Sequence, residues 1–149
     1  MTHRYVAKLF LTLFIFFAAA GIYQPTADGF YNPLKYFKGS LAETNGDQAY
    51  EEKKYPAAFA EYKKAADNGS PYGQFMLANM YLAGESVDKN LEQYMYWLAQ
   101  SADNGYPPAN YLLGMAYLYS DKSLAAVHLK AAADKEHGSA MHMLSLIHI

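Results

Sequence analysis

The segment Ala65-Ala66-Asp67-Asn68-Gly69-Ser70-Pro71 returns 36 residues later as Ser101-Ala102-Asp103-Asn104-Gly105-Tyr106-Pro107. The residues after each glycine repeat as well. Met76, Leu77, Met80, Tyr81 and Leu82 stand 36 residues before Leu112, Leu113, Ala116, Tyr117 and Leu118. A fixed period of about 20 to 50 residues marks an array of supersecondary units, none of which can bury its apolar face alone. A third passage, Ala133 to Ala140, aligns with Ala102 to Ala109 at an offset of 31, and the five missing residues fall in the turn after Tyr119. Turns absorb length changes that helices do not.

The period within each unit is helical. Met76, Leu77, Met80, Tyr81 and Gly84 have the spacing of one helix face. Ser70-Pro71 supplies a cap and a first helical residue, and Asn68-Gly69 and Asn104-Gly105 supply left-handed closures. The expected helices are Asp47 to Lys54, Pro56 to Asp67, Pro71 to Ala83, Asn90 to Ala102, Pro107 or Pro108 to Tyr119, and Leu124 to Lys135. Gly84 to Asp88 and Ser120 to Ser123 are turns between partners. Met141 to Ile149 begins another first helix, so the chain reads as one cut within a repeat.

Upstream of the repeats the sequence changes character. Arg4 and Lys8 precede an apolar run from Leu9 to Ala20 that ends in small residues, the order of a secretory signal peptide. These twelve positions, apolar apart from Thr12, fall short of the roughly 20 that span a bilayer as a helix. Cleavage after Ala20 is therefore expected, giving a periplasmic or secreted chain, with an inner-membrane signal anchor as the alternative. Residues 21–44 carry Pro25, Gly29, Pro33 and Gly39 among aromatics, and read as a linker with at most one helical turn after Asn32-Pro33.

Composition narrows function by exclusion. The 149 residues are 52% hydrophobic and 17% charged, with a net charge of −2, and loss of Arg4 and Lys8 would make the mature chain more acidic. Such a chain lacks the basic face that nucleic acid requires. The absence of cysteine removes disulfides, thiolate metal sites and cysteine nucleophiles together. Gly84-Glu85-Ser86-Val87-Asp88 begins like a nucleophile elbow but lacks the second glycine and a preceding strand. No phosphate-binding glycine loop occurs, and Glu51-Glu52 beside Lys53-Lys54 reads as a solvated charged face. His137 and His142 are five apart, so one helix cannot turn both toward a metal. No metal, cofactor or catalytic residue is expected.

The motif residues resemble the Sel1-like repeat, a helical-hairpin relative of the tetratricopeptide repeat. Tyr81, Gly84, Val87, Trp97, Ala102 and Gly105 match its pattern in one unit, and Ala109, Leu113, Gly114 and Tyr117 in the next. Ala78, Ser86 and Tyr94 depart from it, standing where glycine, glycine and alanine are usual. The resemblance implies an all-α, short right-handed α-α superhelix of about three antiparallel helix pairs over residues 45–149. Its units are about 46–69, 70–105 and 106–136, with a partial unit 137–149. It further implies a non-enzymatic scaffold for protein–protein interaction in the bacterial envelope, whose first helices line a concave face. Tyr72, Phe75, Asn79, Tyr111 and Met115 would lie along that face and take a protein or peptide partner. The competing possibilities are that these side chains only pack between repeats, and that the aromatic faces hold peptidoglycan or another carbohydrate.

Overall fold

The computed structural model describes residues 33–135 and 137–146. The expected signal segment 1–20, the stretch 21–32 and His148 lie outside the described residues. Among the described residues seven helices succeed one another: α1 (Pro33–Glu51), α2 (Tyr55–Asp67), α3 (Pro71–Ala83), α4 (Leu91–Asp103), α5 (Pro107–Tyr117), α6 (Lys122–Ala133) and α7 (Gly138–Leu146). There is no strand among the described residues. Successive helices pair as hairpins, α1 with α2, α3 with α4 and α5 with α6, and α7 opens a fourth. The result is the expected all-α solenoid of three helix pairs.

One expectation is corrected. Residues 33 to 44, expected as linker, are helical, and the helix expected from Asp47 to Lys54 is the last stretch of α1, which ends at Glu51. The glycines of this stretch are points of close approach, not breaks. A methyl group on Gly46 would sit 2.6 Å from Cε1 of Tyr62, and one on Gly39 would touch Asn68 and Ser70. Glycine inside a helix costs about 1 kcal/mol relative to alanine. Here that cost is offset by packing α1 directly against the tyrosine of its partner.

Helix ends obey the sequence closely. Ser70 Oγ, Asn90 Oδ1 and Asp121 Oδ1 accept from the backbone N–H three residues on, at 2.8, 2.9 and 3.0 Å. Each satisfies one of the donors that a helix start leaves without a partner. Gly69, Gly84 and Gly105 take left-handed backbone angles at the closures. The turns differ in length, being three residues between α1 and α2, seven between α3 and α4, and four between α5 and α6.

Apolar burial crosses from one pair to the next. Ala58, Tyr62 and Ala66 of α2 pack on Leu77 and Met80 of α3, with Trp97 of α4 closing over them. Ala78 of α3 joins Leu98 and Ala102 of α4 and Ala109 and Leu113 of α5. Leu129 and Ala132 of α6 meet Ala140 of α7. Small residues set the spacing: a methyl on Gly73 would lie 2.5 Å from Cβ of Ala65, and one on Gly114 would lie 2.6 Å from Cγ of Leu129. Gly46 against Tyr62 and Gly114 against Leu129 are the same contact in different units. Stacking, not any single hairpin, makes the core.

Candidate functional site

The equivalence of Gly46 with Gly114 fixes the register of α1 on the later repeats. It places Glu43, Phe75 and Tyr111 at one position of the first helices, at intervals of 32 and 36 residues. The short turn after α1 accounts for the difference of four. Their contacts agree with this register. Glu43 accepts from Ser70 Oγ, Phe75 packs on Tyr106 with ring centroids 5.1 Å apart, and Tyr111 stacks on His137 at 4.9 Å. Ser70, Tyr106 and His137 each immediately precede or cap the next first helix, so this is one contact made three times.

One helical turn further on, the same face carries Asp47, Asn79 and Met115. Of the five residues expected on the face, Phe75, Asn79, Tyr111 and Met115 occupy two equivalent positions on α3 and α5, all half-buried. Tyr72 lies one turn before Phe75, and its hydroxyl donates to Asp47 Oδ1 at 2.7 Å. Tyr62 donates to the same oxygen at 2.8 Å from the other side.

Glu43, Asp47 and Tyr106 were not among the expected face residues. The 36-residue period fails in the first unit, and aligning Gly46 with Ala78 instead would have exposed the two carboxylates. Around them the aromatic rings form a continuous run. Tyr62 meets Tyr72 edge-on at 6.4 Å, Tyr72 meets Tyr106 at 6.2 Å, and Tyr106 meets Phe75. Burial, together with the hydrogen bond to Asp47, pushes the Tyr62 and Tyr72 hydroxyls well above the usual phenol range. Burial also raises Tyr106, reinforced by the charges of Glu43 and Asp47. At the rim, Tyr50 donates to Glu85 Oε1 at 3.2 Å, and that bond holds its proton more tightly than usual.

Among the described residues no three His, Asp or Glu side chains converge as a metal site requires. His128 stacks on Tyr117 at 5.9 Å and faces Asn110 Oδ1 at 3.0 Å, while His137 is held by Tyr111. The His128 ring packs within its own hairpin, and His137 fills the gap to the next repeat.

Two solved structures superpose on this array. A Sel1 repeat protein from Oxalobacter formigenes matches 66% of the chain at 25% identity with a TM-score of 0.59. A protective antigen of uropathogenic Escherichia coli displaying an SLR fold matches 76% at 23% identity with a TM-score of 0.60. The chain has the fold of these Sel1 repeat proteins. No family model matches the sequence. An uncharacterized protein of Neisseria meningitidis serogroup B is 31% identical over 91 residues, 58% of this chain. This chain spans 19% of the length of that relative and 41% and 25% of the two solved chains.

Proposed function

We propose that this chain is a non-catalytic scaffold that holds a protein or peptide along the face formed by α1, α3 and α5. The observation that carries this reading is the threefold stripe of Glu43, Phe75 and Tyr111, half-buried side chains presented in register by successive repeats. Aromatic side chains fixed by neighbours offer a large contact area at small entropic cost, which is why they dominate binding hot spots. A face of this kind, with side chains held in place before binding, suits an extended or helical segment. The basic and apolar character of residues 1–20 supports export, and the scaffold would then act in the envelope as an adaptor or regulator.

The test is cross-linking of the full, C-terminally tagged chain in bacterial cells, with pull-down and mass spectrometry. A stoichiometric protein partner that is lost when Phe75 and Tyr111 are both changed to alanine is the expected result. Recovery of wall fragments without a protein partner would overturn it in favour of a glycan binder. The mass of the recovered chain reports separately whether residues 1–20 have been removed.

A further inference from the structure

The first unit differs from the others in the chemistry of its stripe. Where α3 and α5 present Phe75, Asn79, Tyr111 and Met115, α1 presents Glu43 and Asp47. The four ion pairs among the described residues engage other carboxylates, namely Glu52, Glu61, Asp67 and Asp134. Glu43 and Asp47 instead receive hydroxyl groups through one oxygen each, from Ser70 and from Tyr62 and Tyr72. Glu43 Oε2 and Asp47 Oδ2 have no hydrogen-bond partner among the described residues. Two half-buried negative charges beside aromatic rings, without a cation within 4 Å among the described residues, carry a desolvation cost that an incoming positive charge would offset.

Resting on the scaffold reading, we propose that Glu43, Asp47, Tyr72, Phe75 and Tyr106 form a cradle for a lysine or arginine side chain of the bound peptide. The carboxylates supply the charge and their free oxygens the acceptors for a charge-assisted hydrogen bond. Tyr72, Phe75 and Tyr106 supply ring faces that attract an ammonium or guanidinium group and cover its aliphatic stem. The Tyr106 hydroxyl already registers the field of both carboxylates. A hard divalent cation fits poorly, since calcium takes about six to eight oxygen ligands and the aromatic walls offer few. A basic segment docked at α1 would then run its apolar residues along Phe75, Tyr111 and Met115, which fixes its direction.

The test is fluorescence anisotropy of the full chain with a short labelled peptide of alternating lysine and leucine, beside its glutamate–leucine counterpart. The lysine peptide binds, its affinity falls with added salt, and the glutamate peptide does not bind. Combining Glu43→Gln with Asp47→Asn keeps an oxygen acceptor for each hydroxyl and removes both charges. This double variant weakens the lysine peptide at least about tenfold. Should the double variant fold poorly by circular dichroism, Glu43→Gln alone carries the test with a loss of about threefold. Glu85→Gln, on the rim and bonded to Tyr50, leaves the affinity unchanged. Equal binding of the two peptides, no binding, or an unaltered affinity in the charge variants overturns the cradle. A partner that depends on Phe75 and Tyr111 but not on the two carboxylates leaves the scaffold standing and removes only the cradle.

Discussion

Gln74 and Asn110, 36 residues apart, make the same two bonds in successive repeats. Each donates its amide to the carbonyl eight residues earlier, Ala66 at 3.4 Å and Ala102 at 2.9 Å. Each also accepts at its amide oxygen from a later side chain, Gln74 from Asn104 at 2.9 Å and Asn110 from His128. The helix before, the helix itself and the helix after are thereby pinned by one buried amide. Replacing Asn110 with alanine takes away the partner of the His128 imidazole nitrogen and leaves the Ala102 carbonyl to backbone N–H groups such as that of Gly105, and should cost about 2 kcal/mol. The longer bond of Gln74 predicts a smaller cost for Gln74→Ala, about 1 kcal/mol. Urea unfolding of the two variants checks the order; equal losses would mean that the amides act as fillers.

Gly73 is the tightest joint between hairpins. Its added methyl would meet Cβ of Ala65 at 2.5 Å and the backbone nitrogen of Ala66 at 3.0 Å, neither of which can rotate away. Gly73→Ala should therefore destabilise by about 2 to 3 kcal/mol through displaced backbone. Gly138 has nothing within 4 Å of that position and no left-handed angle, so Gly138→Ala serves as a neutral control. A melting curve of Gly73→Ala that matches the control would place the hairpins further apart than described.

The later repeats are legible in the sequence because period, caps and closures coincide. Ser70-Pro71, Asn104-Gly105 and the stripe from Met76 to Gly84 each point to the same boundary, and local preference agrees with packing. The first unit is not legible, for a physical reason. Gly39 and Gly46 signal a break when judged by local propensity, but their role is set by Tyr62 and Ser70, which lie 16 or more residues away in sequence. Without the full extent of α1, Glu43 and Asp47 cannot be assigned to a face. Tyr72, Phe75 and Tyr111 emerge from the resemblance to a repeat family, which supplies helix register. It does not disclose that their rings also hold neighbouring repeats together.

Ser86 and Lys53 are the non-glycine residues with positive φ among those described, at 70° and 58°. Ser86 occupies the position where the repeat pattern has its second turn glycine, and the backbone has kept the glycine conformation. A side chain in this region costs about 1 kcal/mol, part of which the greater freedom of glycine in the unfolded chain cancels. Ser86→Gly and Lys53→Gly should each stabilise by about 0.5 kcal/mol, raising the melting temperature by about 1 to 2 °C. Ser86→Ala should give no gain. A gain with alanine as large as with glycine would trace the effect to the lost hydroxyl.

Tyr62 is almost wholly enclosed, with 1% of its surface exposed, and shares Asp47 with Tyr72. Burial first, then the bond to Asp47 and its charge, raises its folded pKa above the phenol value. A raised pKa means that folding favours the protonated ring. The stabilisation is complete below the unfolded value of about 10 and is lost as pH climbs from there through the folded value. Stability should be flat from about pH 7 to 9.5 and decline above 10, each fully protected tyrosine steepening the decline by about 1.4 kcal/mol per pH unit. Tyr62→Phe removes the donor to Asp47 and should cost about 1 kcal/mol at neutral pH. Phenylalanine cannot ionise, so its deficit shrinks as pH rises and the two stability curves converge in the alkaline limb. Urea unfolding of both proteins at several pH values between about 7 and 11 measures this directly. Parallel curves across the whole range would show that Tyr62 ionises in the fold as readily as in the unfolded chain, and that the Asp47 bond does not guard its proton.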